Sequence, residues 1–407
     1  MLFLPAAVAA SILVAAVLAH PGDDHSHEIA ERAAFTKLSK KDLSHCAEKF
    51  KESGLEQRAI ARRAATAQKS RQKRGLSTTA PFLRTRAGPL DTDHHSSVNY
   101  SSDTDSSSLF ASNGSCILSP EVTLGPYWVG GEYVRENVSE DQAGLSLILD
   151  AQVLDISTCD PVTNAVLEIW SCNSTGVYSG VVARGNGVGT ADPSNLDNTF
   201  MRGLQRSDAD GVAQFTTLFP GHYTGRATHI HVLVHFNGTS FENGTYAGGY
   251  VSHVGQLYFD QDLISEVEAT GVYTTNTQAL TTNADDSILS TGVANGHDPF
   301  VEYSYLGNSV EDGIFAWISF GVDLTSQRTL TGAATLTENG GVANTGNGGG
   351  GGGGSSGSAP SGNPTSNGAG NGGNSGSTGG GVSSFVPSAT SSLMGVLSAG
   401  LVFLLFF

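Results

Sequence analysis

Residues 219–236 read FPGHYTGRATHIHVLVHF and point to the fold more directly than any other stretch of the chain. Successive side chains of a β-strand point to opposite faces, so the alternation from His229 onward predicts a strand. His229 and His231 would then project from the same face, about 7 Å apart. Pro220 and Gly221 are turn residues and mark the entry to this strand.

The same alternation of apolar residues occurs on both sides of this strand. Short runs of alternating apolar residues, separated by turn residues, include LSLILDAQVLDI, AVLEIWSC, VAQFTTLF, QLYF and FAWISFGVDL. Many short strands of this kind are typical of an antiparallel sandwich or barrel. We therefore predict a mainly β domain over residues 116–331.

The two ends of the chain resemble targeting segments. Residues 1–19 form an apolar stretch that ends in small residues, as a signal peptide does, although no positive charge precedes it. Residues 382–407 end in an apolar run of fifteen residues after a Ser/Gly/Asn spacer, which resembles a GPI-attachment signal. A plain tail anchor or a secreted form is the alternative, and the run is short for a membrane span, which needs about 20 residues.

Three further segments flank the β domain. Residues 20–90 are expected to be largely helical, with a dibasic Lys73-Arg74 pair where a propeptide could be cut. Residues 91–115 form a Ser/Asp-rich linker, and residues 332–381 are predicted to be a disordered Gly/Ser/Asn-rich stalk. The sequence does not decide whether residues 20–74 persist or mediate dimerisation.

Charge and cysteine usage indicate an extracellular protein. Residues 91–407 carry six basic and 30 acidic residues, a balance that argues against nucleic acid as a partner. Six N-x-[ST] sequons agree with a secretory route. The four cysteines, in an oxidising compartment, predict one or two disulfides with three possible pairings, against the alternative of free buried thiols.

Tyrosines accompany the two histidines. Tyr223 lies six residues before His229, and Tyr178 follows the predicted strand AVLEIW. A phenolate is a hard oxygen donor, and a trivalent cation lowers the pKa of a tyrosine from its usual value of about 10. Two tyrosinates, two imidazoles and a hydroxide would satisfy Fe(III). The spacing of acidic residues fits neither a cupin nor a ferrous facial triad.

Four segments together resemble the intradiol ring-cleavage dioxygenases, the family of catechol and protocatechuate dioxygenases. They are T-x-G-P-Y (residues 123–127), LEIWSCNSTGVYSG (167–180), FPGHYTGRATHIHV (219–232) and GQLYF (255–259). The resemblance covers roughly residues 116–325 and implies an antiparallel β-sandwich. The signal-like N-terminus, the helical region and the glycine stalk resemble the secreted fungal branch.

The resemblance also implies roles for individual residues. Tyr178, Tyr223, His229 and His231 would be the ligands of Fe(III), and Tyr223 would also act in catalysis. Arg226 would face the substrate ring and Gln256 would lie near the oxygen-binding pocket, while Tyr127 would line the pocket mouth. The implied reaction uses dioxygen to cleave a catechol-type diol between its two hydroxyl-bearing carbons, giving a muconate-type diacid.

Plainer interpretations of single residues remain open. Arg226 could form a structural ion pair, and His235 is expected to be a histidine of the sheet face rather than a ligand. His222 is predicted to point to solvent, and the three tryptophans to be core aromatics. For the whole protein the alternatives are a GPI-anchored wall or adhesion protein without turnover, or a metal-scavenging surface protein.

Overall fold

The structure is a computed structural model that describes residues 43–78, 115–116, 125–294 and 297–344. The predicted signal segment, the GPI-type tail and most of the two linkers lie outside these residues. Within the described part, no helix has both the length and the apolar character needed to cross a membrane.

Fourteen strands and four α-helices make up the described part of the chain. The strands are β1 (Ser115–Cys116), β2 (Val129–Gly130), β3 (Ser146–Asp155), β4 (Val166–Trp170), β5 (Arg202–Arg206), β6 (Val212–Leu218), β7 (His229–Phe236), β8 (Thr239–Ser240), β9 (Tyr246–Ala247), β10 (Tyr250–Tyr258), β11 (Glu302–Tyr305), β12 (Ile314–Val322), β13 (Ala334–Thr337) and β14 (Gly340–Ala343). The helices are α1 (Ala47–Glu52), α2 (Leu55–Lys73), α3 (Gln261–Glu268) and α4 (Ser287–Ala294). The chain is thus mainly β with helices at its N-terminal side, as the sequence predicts.

Two larger sheets enclose the main hydrophobic core. One has the order β10-β7-β4-β5 and is antiparallel throughout. The other has the order β1-β12-β3-β6 with β11 beside β12, and it is mixed because β12 runs parallel to both β1 and β3. The sandwich is therefore less uniformly antiparallel than the alternation by itself suggests.

Strand β7 shows how the alternation divides the molecule. Ile230, Val232 and Val234 pack into the core between the two sheets. His229, His231 and His235 alternate with them and belong to the opposite face, where Leu233 packs in a second cluster rich in Tyr and Trp. The histidines therefore lie on the outer face of the four-stranded sheet, under a cover of aromatic side chains.

The N-terminal helices pack against the mixed sheet. Gly54, at φ +68°, separates α1 from α2, and Ile60 and Ala67 of α2 contact Phe315 and Trp317 of β12. Burial alone would raise the pKa of the fully buried Asp150, but the hydrogen bonds and positive charge of Arg62 lower it. Arg62 donates to both oxygens of Asp150 at 2.9 Å. Part of the basic face of α2 is thus buried against the sheet.

One disulfide joins Cys46, just before α1, to Cys159 after β3. Cys172 is a free, buried thiol, and the side chain of Cys116 lies outside the described part. The disulfide limits what cleavage at the dibasic site would do. A cut after Arg74 would leave the helices covalently attached to the sandwich.

The predicted stalk begins later than residue 332. Strands β13 and β14 form a hairpin within the predicted linker, and β13 pairs in parallel with β2. A Cβ on Gly131 would lie 2.6 Å from the carbonyl oxygen of Leu336, so only glycine allows this approach. Sequence reasoning missed the hairpin because its strands are short and rich in Gly, Ala and Thr.

Candidate metal centre

Neighbouring strands place aromatic and amide side chains around the two histidines. His231 lies opposite Trp170 of β4 on one side and opposite Gln256 of β10 on the other. His229 lies opposite Tyr258 of β10. The register of three antiparallel strands thus fixes which side chains surround each imidazole.

The two imidazoles point towards one position. Their Nε2 atoms lie 3.0 Å apart, and Nδ1 of His229 lies 2.6 Å from the carbonyl oxygen of Ala227. If Nδ1 carries the proton and donates it there, the lone pair of Nε2 is free to bind a metal. Trp170 stacks on His231 with ring centroids 4.3 Å apart and holds its plane.

Tyr178 approaches from a loop after β4 that buried amides hold in place. Asn186 accepts a hydrogen bond from the backbone nitrogen of Tyr178 and donates one to its carbonyl oxygen, both at 2.8 Å. Asn195 donates to the same carbonyl oxygen at 2.8 Å. The hydroxyl of Tyr178 is buried without a well-formed hydrogen bond to any residue the structure describes, which leaves its oxygen available as a ligand.

Tyr223 approaches from the turn before β7. Its ring centroid lies 5.4 Å from that of Tyr178 and 5.8 Å from that of His229. Tyr127 stacks on the other face of the group, with its centroid 4.6 Å from Tyr178 and an interplanar angle of 23°. The structure therefore brings the four sequence-predicted ligands together in one buried site.

Burial keeps Tyr178, Tyr223 and His229 uncharged when no cation is bound. Burial, and then the neighbouring phenol of Tyr223, hold the pKa of Tyr178 well above its usual value, and burial likewise raises the pKa of Tyr223. Burial and the positive charge of Arg226 hold the pKa of His229 well below its usual value, so the imidazole is neutral. Neutral imidazoles are ready to coordinate, while the phenols need a strong positive charge to ionise here. Two nitrogen and two oxygen donors of this kind fit Fe(III).

Arg226 is buried beside the candidate ligands within a hydrogen-bonded group. Its Nε donates to Asp286 at 3.0 Å, and its Nη2 donates to Gln256 at 2.6 Å and to the hydroxyl of Tyr258 at 2.8 Å. The hydroxyl of Tyr258 also donates to Gln256. Arg226 thus forms the ion pair of its plainer interpretation and also brings a positive charge to the edge of the site.

Two of the histidine predictions have clear outcomes. His222 does not point to solvent: it is buried, its Nε2 lies 2.9 Å from the carbonyl oxygen of Gln278, and its Nδ1 lies 2.9 Å from a carboxylate oxygen of Glu268. His235 is a sheet-face histidine as expected, with its Nε2 2.6 Å from Glu168. The prediction for His222 was wrong because Glu268 and Gln278 come from distant segments that cover the turn.

Sequence reasoning missed several residues that shape the site. Trp170 was expected to be a simple core aromatic, and Tyr258 received no role although it stands in the GQLYF segment. Asp286 accepts hydrogen bonds from Arg226 and also from the backbone nitrogens of Ile288 and Leu289 in α4. Only this helix-capping pattern, an Asp before an apolar helical run, could have drawn attention to Asp286.

Part of this chain is similar in sequence to known proteins. A sequence profile of the protein family described as Dioxygenase matches residues 129–284. Catechol 1,2-dioxygenase 1 of Acinetobacter lwoffii is 28% identical over 139 residues, which cover 28% of this chain and 41% of that relative. The chain therefore spans less than half the length of the curated relative it matches.

Two solved structures of similar proteins are also named as dioxygenases. An intradiol ring-cleavage dioxygenase from Tetranychus urticae is 29% identical, with a TM-score of 0.42. The match covers 51% of this chain and 95% of the chain of that dioxygenase. Catechol 1,2-dioxygenase from Pseudomonas arvilla C-1 is 16% identical, with a TM-score of 0.31, and covers 49% of this chain and 60% of its own.

Part of this chain is thus similar to dioxygenases, both by the sequence profile and by the curated relative. The matched range, residues 129–284, includes all four candidate ligands.

Proposed function

We propose that this protein is an Fe(III)-dependent intradiol dioxygenase that cleaves catechol-type diols between the two hydroxyl-bearing carbons. The observation that carries the proposal is the convergence of two tyrosines and two histidines in one buried site, with the Nε2 atoms of His229 and His231 3.0 Å apart. Tyr178 and Tyr223 complete the donor set. The match of residues 129–284 to the Dioxygenase family supports the same function.

Each residue of the site would have its own role in the reaction. Tyr178, Tyr223, His229 and His231 would hold ferric iron, which would supply a Lewis acid that the diol can chelate and would make the ring reactive towards dioxygen. Tyr223 Oη would take up a proton of the diol, as the family resemblance implies. Arg226, held by Asp286 and Gln256, would stabilise negative charge that develops on the substrate.

We further propose that the protein works outside the cell, held at the surface by a GPI anchor. The signal-like residues 1–19, the anchor-like residues 382–407 and the six sequons support this location. The disulfide between Cys46 and Cys159 fits an oxidising compartment. The substrates would then be catechols that reach the cell from outside.

The test combines oxygen consumption with the visible spectrum of the purified protein. Protein from iron-replete culture is expected to be red-brown, from charge transfer between tyrosinate and Fe(III), and to consume one dioxygen per catechol. Candidate substrates are catechol, hydroxyquinol and protocatechuate. A colourless, iron-free protein would contradict the proposal, and bound iron without oxygen uptake would favour a surface protein that has lost turnover.

A further inference from the structure

A cavity lies near His235, at the end of the outer sheet face away from the candidate metal centre. It measures about 290 Å³ and is lined by residues of β2, β4, β7 and β9, the segment 328–332 and the β13–β14 hairpin. None of the four candidate iron ligands lines it. The cavity is thus a feature separate from the candidate metal centre.

Glu132 is the unusual residue of this cavity. Its side chain lines the cavity and is only 1% exposed. Neither carboxylate oxygen accepts a hydrogen bond from any residue that the structure describes. A buried carboxylate without hydrogen-bond donors costs several kcal/mol in general, so such a group is expected where a ligand supplies the donors.

The charges around Glu132 argue against a cationic ligand. Nε of Arg202 lies 3.7 Å from a carboxylate oxygen of Glu132, which is too long for a hydrogen bond but close enough to offset its charge. Arg328 also lines the cavity. The other acid, Glu168, is already hydrogen-bonded to Trp128 and His235. A metal ion or an ammonium group would therefore meet little net negative charge.

The shape and lining of the cavity favour a single ring. About 290 Å³ is at the lower end of ligand-pocket volumes, which suits a molecule of one ring. Trp128, Tyr246 and Tyr250 provide aromatic walls. A Cβ on Gly248 would meet nothing within 4 Å, so space is open above this part of the lining.

We propose that this cavity binds a neutral six-membered ring with two adjacent hydroxyl groups, which donate to the two carboxylate oxygens of Glu132. Hydroxyls supply the missing donors without adding charge beside Arg202. The ring packs on the aromatic walls. Two kinds of molecule carry this chemistry, a pyranose sugar and a catechol.

The test is calorimetric titration of the full-length protein with small neutral probes. Methyl glucoside and catechol represent the two sources, and cyclohexane-1,2-diol carries the shared chemistry alone. Titrations are made at about pH 9, because burial raises the pKa of Glu132 to about 8. We expect saturable binding of the cyclohexanediol, with cyclohexanol binding about tenfold more weakly because it donates only one hydrogen bond.

Glu132→Gln is the matched variant, and Glu136→Gln removes the same charge from an exposed side chain of the same segment. Glu132→Gln should weaken the binding of the cyclohexanediol about tenfold or more, and Glu136→Gln should leave this binding unchanged. For catechol, which also binds at the candidate iron site, the affinity lost in Glu132→Gln is the contribution of the cavity. Oxygen uptake should be the same in all three proteins.

Several outcomes would overturn the proposal. They are the absence of saturable diol binding to the wild type, equal diol binding by the wild type and Glu132→Gln, and cyclohexylamine binding more tightly than the diol. If Glu132→Gln does not fold, soaking wild-type crystals with the diol decides the matter: density beside Glu132 supports the proposal, and an empty or water-filled cavity refutes it.

Discussion

The two ends of strand β7 carry histidines on the same face but in different chemical settings. At the first end, His229 and His231 face each other beside the phenols of Tyr178 and Tyr223. At the second end, His235 lies 2.6 Å from the carboxylate of Glu168. The strand is the same, and the difference comes from β4, which places Trp170 opposite His231 and brings Glu168, opposite Leu233, within reach of His235.

The two ends of β7 show that the neighbours of a histidine decide which groups it can bind. The Nε2 atoms of His229 and His231 lie 3.0 Å apart beside the two phenols, so a cation could take the position between them. The Nε2 of His235 is already hydrogen-bonded to a buried acid and has no free lone pair to offer. The first end of β7 therefore groups the donors of the proposed iron site, and the second end has a histidine hydrogen-bonded to a buried acid.

The largest expected effect is at the first end of the strand. His229→Ala should reduce bound iron to less than about a tenth of the wild-type content and abolish oxygen uptake, because one of four ligands is lost. Metal analysis and oxygen-electrode assays measure both. His253→Ala is the matched control, since it removes a buried histidine from the neighbouring strand β10. Iron retained in His229→Ala would contradict the assignment of the ligand.

Tyr223→Phe should have the next largest effect. Losing the hydroxyl removes one tyrosinate and the proposed proton acceptor, so the visible band should shift and kcat should fall about 100-fold. Stopped-flow absorbance and oxygen uptake provide the measurements. Tyr127→Phe, which keeps the ring stacked on Tyr178, should leave both nearly unchanged. Equal effects of the two variants would mean that Tyr223 acts only through packing.

A substitution at the second end of the strand should lower the stability of the protein and leave its iron content unchanged. His235→Ala leaves the buried carboxylate of Glu168 without one partner, so the free energy of unfolding should fall by about 3 kcal/mol. Urea unfolding measures the loss, and metal analysis should show unchanged iron. Adding Glu168→Gln should restore part of the stability. Loss of iron in His235→Ala would break the contrast between the two ends.

A further expected effect is a pH dependence of stability due to Glu132. Burial raises its pKa from the ordinary 4.5 to about 8, so the folded protein keeps a proton that the unfolded chain has released. The contribution of this group to stability is therefore fully present below about pH 4.5 and is lost as pH rises to about 8, by at most about 1.4 kcal/mol per pH unit.

Glu132→Gln removes this titration, so the stability of the variant relative to the wild type should improve as pH rises through that window. Urea unfolding at several pH values measures the difference, and Glu136→Gln should run parallel to the wild type. A difference between wild type and Glu132→Gln that does not change with pH would show that Glu132 is ionised in the folded protein.

Much of the fold and of the candidate site could be predicted because the signals are local. The alternation in residues 229–236 and the turn at Pro220-Gly221 predict the central strand. The pattern Y-x5-H-x-H and an upstream Tyr178 indicate the donor set. By contrast, the mixed sheet could not be predicted, since nothing in β12 itself shows that it runs parallel to β3.

Contacts between distant segments account for the remaining errors. His222 is covered by Glu268 and Gln278, and Arg226 is held by Asp286, 60 residues further along the chain. The hairpin of β13 and β14 looked like the start of a linker because its short strands gain stability only by pairing with β2. No pattern within a single segment reports such pairings.

The sequence by itself determined the kind of chemistry: two imidazoles at strand spacing, two tyrosines nearby and an arginine within three residues of His229. Side-chain type and alternation are properties of the chain, so they need no partner to be interpreted. Only the tertiary structure decided which histidines face a phenol and which face a carboxylate, and that Glu132 is buried without donors. The physical reason is that strand register and burial, rather than residue type, set the neighbours of each polar group and hence its hydrogen bonds and charge.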